Sequence, residues 1–149
     1  MNFEIDDRVK QLNKMLSELD NLYQTMLMAN GLSDSEYIVM FAILALGEGC
    51  LQKDIAENGF MSKKTINSTI KKLQKEELIK LKAGKYPNMH IYLTTKGKEY
   101  IKEKVIPVIE TENIVLNSMS SDAFDILVGG YTKYIDRFRE LVNTFTEKK

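Results

Sequence analysis

The sequence predicts a mainly α fold with a small β-wing: a winged helix-turn-helix flanked by long N- and C-terminal dimerisation helices. Three observations predict it. Residues 51–97 give, in order, two short helices, two strands joined by a turn, and the start of another helix. Residues 5–29 carry apolar side chains at heptad spacing, and residues 122–146 carry an aromatic-rich helical pattern. We expect three regions, 1–32, 33–97 and 98–149, intertwined as one unit.

The first predicted helix spans residues 5–29. Its apolar positions alternate steps of four and three, which is typical of a helix that packs along another helix. These positions are Ile5, Val9, Leu12, Leu16, Leu19, Tyr23 and Met26. Asn30 and Gly31 should end the helix, because both tolerate left-handed backbone.

The second predicted helix begins near Asp34. Ser33 and Glu36 have the spacing of a capping box, in which each side chain accepts a backbone N–H of the other residue. The helix that follows is almost wholly apolar, so we expect it to be the buried hub of the fold. Gly47 and Gly49 should end it.

The third and fourth predicted helices form the helix-turn-helix. Leu51, Ile55 and Ala56 give the third helix an apolar side, Gly59 makes the turn, and Ser62 caps the fourth helix. The fourth helix has one buried stripe, Ile66, Ile70 and Leu73. Its other faces carry Lys63, Lys64, Asn67, Ser68, Lys71, Lys72 and Lys75. A surface of lysine, amide and hydroxyl groups suits a groove lined by phosphates and base edges.

The wing should consist of strands at residues 78–82 and 90–93, with a turn at Ala83-Gly84 and Pro87 at the tip. Thr94 or Thr95 then caps a fifth helix that runs to about Ser118. Pro107 falls inside this helix and should bend it. A sixth helix, capped by Ser120 or Ser121, should run to about Thr146 with Gly129-Gly130 in its middle.

The net charge of zero hides a segregation of charge along the 149 residues. Residues 51–104 hold 13 Lys and 6 acidic residues, a net of +7, whereas residues 1–50 hold 3 basic and 8 acidic residues, a net of −5. Residues 105–149 hold 5 basic and 7 acidic residues, a net of −2. A basic middle between acidic ends indicates a polyanionic partner. The alternative is that the lysines only keep a helical surface soluble.

Other classes of protein find no support in the sequence. No apolar run is long enough for a membrane span, and a single cysteine fits a reducing cytoplasm. No phosphate loop, dinucleotide fingerprint, nucleophile elbow or catalytic triad is present, so we expect neither an enzyme nor a cofactor. One His and one Cys, without paired ligand spacing, predict no metal site.

The terminal helices exceed what a winged module needs. We expect them to pack on each other and on a second chain, so that a two-fold dimer presents two recognition helices to half-sites about 34 Å apart. The alternative is a monomer whose ends pack on its own core. The expected dimerisation residues are Ile5, Val9, Leu12, Leu16, Tyr131, Tyr134, Phe138, Leu141 and Phe145.

With these elements placed, the chain resembles the MarR family of bacterial transcription regulators over essentially its whole length. The resemblance is carried by residues 51–57 (LQKDIAE), by residues 62–66 (SKKTI) leading to Leu73, and by residues 93–97 (LTTKG) at the exit of the second strand. It implies a homodimer that binds double-stranded DNA at pseudo-palindromic, inverted-repeat operators. It also implies that the protein is usually a repressor released by a small ligand.

The resemblance also implies roles for individual residues. The bases would be met by Thr65, Asn67, Ser68 and Lys71. Phosphates would be held by Ser62, Lys63, Lys64 and Lys72, with Gln52 and Lys53 near the DNA backbone.

Two positions depart from the family pattern. The wing carries Lys85 and Pro87 where many members have an Asp and an Arg, so Lys82, Lys85 or His90 would supply the charge there, more weakly. Glu77 stands where the family often has Gly, which predicts a differently built turn.

The effector expected from the resemblance is a small aromatic or amphipathic molecule. Methionines and aromatic residues on the first two helices flank the family's usual cleft, and methionine lines adaptable pockets. These residues are Met15, Tyr23, Met26, Tyr37, Met40 and Phe41; the alternative is that they fill the core.

Two further functional alternatives stay open. The first is a winged-helix protein-interaction module that does not bind DNA, because residues 51–104 contain no arginine. The second is a thiol redox switch at Cys50, a residue that is otherwise expected to be a small buried hydrophobe.

Overall fold

The computed structural model describes residues 4–58, 61–84 and 89–146, with only the backbone of Asn58. The predictions for Gly59, Lys85 and Pro87 therefore lie outside the described residues. The elements are α1 (Asp7–Ala29), α2 (Asp34–Leu46), α3 (Gln52–Asn58), α4 (Lys63–Lys75), β1 (Ile79–Ala83), β2 (Met89–Leu93), α5 (Thr95–Tyr100), α6 (Ile106–Asn117) and α7 (Ser121–Thr146). The predicted fold class, mainly α with a small β-wing, is confirmed.

The chain divides into two compact units, Met1–Ile109 and Glu110–Lys149. The first unit holds the helix-turn-helix, the wing and the buried core, and the second holds most of α6 and all of α7. None of the described helices combines the length and apolar content that crossing a bilayer would require.

Capping side chains mark the starts of α1, α2 and α4. Asp6 caps α1 through the backbone N–H of Arg8, so the helix begins two residues later than predicted and Ile5 precedes it. The capping box of Ser33 and Glu36 is present at the start of α2. Ser62 caps α4 by accepting the backbone N–H of Thr65, as predicted.

One face of α2 forms the centre of the core, with Tyr37, Val39, Met40, Ala42 and Ile43 buried. The opposite face is not buried: Phe41, Leu44 and Leu46 are all more than 40% exposed. The prediction that the whole apolar helix would be a buried hub is therefore wrong for this second face. Since a helix has two sides, it can bury both only where elements pack on each.

The two wing strands pair antiparallel, with Leu81 opposite Ile91. A short additional bridge pairs Leu51 with His90, and the backbone N–H of Gly49 donates to Ile91 O at 2.7 Å. The segment before α3 therefore adds a third, minimal strand beside β2, which the sequence pattern did not predict. This bridge ties the wing to the start of the helix-turn-helix.

The turn between α4 and β1 corrects one prediction. Glu77 adopts a left-handed backbone with φ 59°, the conformation that a glycine would take there. The backbone N–H of Leu78 donates to Leu73 O at 2.9 Å, and that of Glu77 donates to Gln74 O at 3.0 Å. These two bonds make a Schellman motif, so the turn is built as with glycine despite the side chain.

The predicted fifth helix is interrupted before Pro107. A π-helical turn, Ile101–Val105, separates α5 from α6, and the N–H of Ile106 donates to Ile101 O. Proline has no N–H, and its ring would crowd the carbonyl four residues earlier. The wider π turn supplies the room that this proline needs within a continuous helical path.

Candidate nucleic-acid interface

Helix α4 has one buried and one solvent-exposed face, as its sequence pattern predicts. The buried side chains are Ile66, Thr69, Ile70 and Leu73. All four predicted base contacts, Thr65, Asn67, Ser68 and Lys71, lie exposed on the other side. The structure therefore brings the predicted base-reading set onto one helix face.

The exposed lysines of α4 fall into two classes. Within the described ranges, Lys63, Lys64 and Lys71 make no hydrogen bond or ion pair with another protein side chain, and neither does Asn67. Lys72, in contrast, places its Nζ 2.9 Å from Oε1 of Glu36 on α2. The first class is available to a partner, whereas Lys72 already has one inside the chain.

Glu36 is a site residue that the sequence pattern did not reveal. Its side chain is buried, and Oε2 accepts hydrogen bonds from Ser33 N at 3.1 Å and from Ser33 Oγ at 2.5 Å. Burial by itself would raise the pKa of Glu36, but the hydrogen bonds from Ser33 and Lys72 lower it below its ordinary value. The carboxylate therefore stays charged beneath the recognition helix.

Tyr100 of α5 completes this cluster around Glu36. Burial, the negative charges of Glu36 and Glu76, and a hydrogen bond to Glu36 raise the pKa of Tyr100 to about 12. Since the phenol stays protonated, it can donate to the carboxylate. Glu36 thus joins α2 to α4 through Lys72, and its charge acts on Tyr100 of α5.

The hydroxyl groups near the start of α4 are partly used within the helix. Ser62 Oγ accepts Thr65 N at 3.1 Å and lies 2.8 Å from Thr65 Oγ1. Ser68 Oγ donates its proton to Thr65 O at 2.8 Å. Ser68 therefore presents lone pairs rather than a proton, so it would act as a hydrogen-bond acceptor toward DNA.

The start of α3 lies beside α4. Gln52, Lys53, Ala56, Lys63 and Ile66 line a shallow cavity of about 240 Å³ between the two helices. Lys53 and Lys63 are both exposed at its edge. The predicted backbone contacts Gln52 and Lys53 are therefore close to the first lysine of the recognition helix.

The wing offers a second cationic surface. Lys82 Nζ lies 4.9 Å from the centroid of the Tyr92 ring, a cation–π contact. Lys80, two residues earlier on β1 and directly opposite Tyr92, is exposed on the same side of the wing. Lys80 was not among the predicted contacts, although strand alternation places it on the face of Lys82.

His90 was predicted to supply charge in the wing, but the structure gives it an internal role. Its Nδ1 lies 2.6 Å from Gly49 O, where a protonated Nδ1 donates to the carbonyl. This nitrogen joins β2 to the segment before α3 and is not available to DNA. The contact forms because the bridge at Leu51 brings Gly49 within reach of Nδ1, and a role of His90 in DNA binding stays a prediction.

Close packing against Leu78 explains why position 97, in the motif of residues 93–97, is a glycine. A Cβ at this position would overlap the carbonyl oxygen of Leu78 and lie 2.9 Å from its carbonyl carbon. Thr94 Oγ1 donates to Glu77 O at 2.6 Å, and Lys96 Nζ donates to Glu76 O at 2.9 Å. The start of α5 therefore holds the carboxyl end of α4.

The predicted dimerisation residues are largely solvent-exposed in the single chain. Described separately, α7 has no buried residue, and α1 buries only Leu27. The exposed predicted side chains are Ile5, Val9, Leu16, Tyr131, Tyr134, Phe138, Leu141 and Phe145, while Leu12 is half-buried. On α7 the Tyr134 ring stacks on those of Tyr131 and Phe138, with centroids 6.5 and 5.9 Å apart.

The six predicted effector residues differ widely in their exposure to solvent, and their role stays a prediction. Met40 is completely buried in the core, whereas Met15 is 58% exposed. Tyr37 is buried and its ring lies 5.9 Å from that of Phe41; Tyr23 and Met26 are half-buried. A described cavity on α1 contains none of the six, since its lining is Lys14, Ser17, Glu18, Asn21, Leu22 and Thr25.

Cys50 lacks the features of a reactive thiol. It is buried, and burial together with the nearby charge of Asp54 raises the pKa of its thiol. A thiolate is the nucleophilic form, so a raised pKa works against redox sensing. Cys50 packs instead as a core residue.

The fold and the exposed face of α4 define a winged helix-turn-helix protein. Residues 30–85 match the family model described as the MarR family. A search of the curated proteins finds no match for this chain.

Solved structures give the same fold along the whole chain. The MarR family regulator NMB1585 from Neisseria meningitidis is 20% identical, with a TM-score of 0.80 and full coverage of both chains. MepR of S. aureus, solved as a complex with DNA, is 19% identical, with a TM-score of 0.69 over 92% of this chain and 99% of that one. PcaV from Streptomyces coelicolor, in complex with its natural ligand, is 14% identical, with a TM-score of 0.64 over 95% and 98%.

The chain is therefore similar to the MarR family of transcription regulators in sequence over residues 30–85, and in fold to solved members of that family. The resemblance stated from the sequence is thereby confirmed.

Proposed function

We propose that this protein is a homodimeric, sequence-specific DNA-binding regulator of the MarR type that represses transcription from inverted-repeat operators. The observation that carries the proposal is the exposed face of α4. Lys63, Lys64, Asn67 and Lys71 have no partner among the described residues, while the other face of the helix is packed into the core. Unpartnered lysines and an amide on a rigid helix suit phosphates and base edges.

The charge distribution supports a nucleic-acid partner. The net charge of +7 in residues 51–104 coincides with the helix-turn-helix and the wing. A localised positive field speeds the approach to a polyanion. MepR, which shares the fold, was solved bound to DNA.

A homodimer would account for the exposed apolar side chains of α7 and α1. Soluble monomers rarely leave contiguous apolar patches of this kind uncovered, so a second copy is the economical cover. The stacked rings of Tyr131, Tyr134 and Phe138 would then lie in the subunit interface. Two recognition helices would reach half-sites about 34 Å apart.

Release by a small ligand is the remaining part of the proposal. PcaV was solved with its natural ligand, and DNA binding of BpsR from Bordetella bronchiseptica is regulated by 6-hydroxynicotinic acid. By analogy, a small aromatic or amphipathic molecule would act here. Of the predicted lining residues, Met15, Tyr23, Met26 and Phe41 are accessible enough to contact a ligand without disrupting the core.

The test is operator selectivity in the Asn67→Ala, Lys71→Ala double variant, measured by competition between specific and unrelated DNA. We expect the ratio of specific to non-specific affinity to fall by about 10-fold or more, since each good base contact contributes about 1–3 kcal/mol. Lys14→Ala, which removes a lysine from α1, is the matched control and should keep the ratio. Unchanged selectivity in the double variant would show that α4 does not read the bases.

A further inference from the structure

Glu36 is an acidic side chain buried beneath the recognition helix. It is 5% exposed, and its two oxygens have different partners. Oε2 accepts from Ser33 within the capping box of α2, and Oε1 lies 2.9 Å from Nζ of Lys72 on α4. The same carboxylate thus takes part in the cap at the start of α2 and pairs with Lys72 on α4.

We propose that Glu36 and Lys72 are positioning residues for DNA recognition, and that Lys72 does not contact phosphate. The pair fixes how α4 is rotated on α2, and thereby where the exposed face of α4 points. This inference rests on the proposed function, because it assigns a role within DNA binding.

The cost of moving Lys72 supports this assignment. If Lys72 turned toward a phosphate, it would leave the buried carboxylate of Glu36 without its cation, and an unpaired buried charge is strongly unfavourable. Lys64, on the same helix, is exposed and has no partner among the described residues, so it can reach a phosphate at no such cost. The two lysines therefore differ in role although both lie on the recognition helix.

The pair of Glu36 and Lys72 also lies close to the end of α4 that other residues hold in place. Lys72 lies in the last turn of α4, and the end of that helix is held from α5 by Thr94 and Lys96. The Glu36 carboxylate therefore ties the recognition helix to α2 close to the end that α5 holds, so removing it should change the angle at which α4 meets DNA.

The experiment compares the salt dependence of DNA binding in Lys72→Met and Lys64→Met of the full-length chain, with random-sequence duplex as the probe. A lysine that binds a phosphate contributes about 0.9 to the slope of log K against log[salt]. We expect Lys64→Met to reduce the slope by that amount per chain. We expect Lys72→Met to weaken binding several-fold with the slope unchanged, and Lys72→Arg to behave as wild type.

The Glu36→Gln variant tests the inference independently, through the direction in which the affinity for DNA changes. Removing a negative charge near DNA would by itself strengthen binding, whereas loss of positioning weakens it. We therefore expect weaker binding. In urea, the drop in midpoint for the double variant Glu36→Gln, Lys72→Met should be smaller than the sum of the drops for the two single variants, because the pair is broken only once.

Four results would overturn the inference. A reduced salt slope in Lys72→Met would make Lys72 a phosphate ligand, and additive urea midpoints would show that the pair does not couple. Normal affinity in folded Lys72→Met would leave the pair with a purely structural role. If the wild-type chain binds no DNA at all, the proposed function fails and the positioning role with it. The urea cycle distinguishes that case, since it reports the pair without DNA.

Discussion

Replacing Glu77 by glycine should stabilise the protein. Glu77 holds φ 59° in the turn between α4 and β1. For an L-residue this left-handed backbone costs about 1–2 kcal/mol. Glycine escapes that cost but loses about 0.5–1 kcal/mol through the greater freedom of the unfolded chain. The net gain in the free energy of unfolding is about 0.5–1 kcal/mol.

The chain contains a natural reference for this effect. At the end of α1, Gly31 has φ 67°, and its N–H and that of Leu32 make the same two bonds, to Met28 O at 3.0 Å and to Leu27 O at 2.9 Å. Gly31→Ala should therefore destabilise by about 1 kcal/mol, the mirror image of Glu77→Gly. The two motifs share this bonding pattern and differ in which residue occupies the left-handed position.

The assay is urea unfolding followed by circular dichroism, at one fixed protein concentration because association would add to apparent stability. Glu77→Ala is the control, since it removes the carboxylate but keeps the Cβ. It should stay within about 0.5 kcal/mol of wild type, as surface substitutions usually do. A glycine variant no more stable than the alanine variant would refute the strain argument.

Three further predictions concern packing, protonation and association. Gly97→Ala should destabilise by about 2–3 kcal/mol in urea, because the new Cβ overlaps the backbone of Leu78; a smaller effect than that of Gly31→Ala would contradict the close approach. The lowered pKa of Glu36 contributes stability above its ordinary pKa of 4.5, which is lost as pH falls below 4.5. The difference in unfolding free energy between wild type and Glu36→Gln should therefore shrink as the solution is acidified from about pH 6 to about pH 3, and a constant difference would argue against a charged Glu36. Phe138→Asp on α7 should weaken a dimer by at least about 10-fold in sedimentation, whereas wild-type association would place the interface elsewhere.

Local sequence signals predicted most of the fold. The caps at Ser33, Ser62 and Thr94 lie where expected, because a capping side chain contacts a backbone N–H only two or three residues away. The buried stripe of α4 also follows from spacing alone. Such features depend on nearest neighbours, so one sequence suffices to predict them.

Features that depend on packing between elements were not predicted. The left-handed backbone of Glu77 accompanies the hydrogen bond from Leu78 N to Leu73 O and the burial of both leucines, which together outweigh its local preference. The bridge between Leu51 and His90 forms only when the fold brings β2 beside the segment that precedes α3. Neither feature has a periodic signal in the sequence.

The residues of the candidate site also divide into those that the local sequence could predict and those that depend on packing. The exposed set Thr65, Asn67, Ser68 and Lys71 could be placed from helix geometry. The partner of Lys72 could not, because the local pattern around Glu36 indicates only a capping residue, and its second contact arises when α2 packs on α4. The accessibility of the effector residues likewise depends on packing, as the buried Met40 shows.

The central claim is that α4 reads an inverted-repeat operator as part of a dimer. It is tested most directly by selecting bound sequences from a random DNA pool at about 0.15 M salt, close to physiological ionic strength. We predict enrichment of an inverted repeat whose half-sites lie about one helical turn apart. Recovery of no enriched sequence, or of a single unrepeated site, would contradict it.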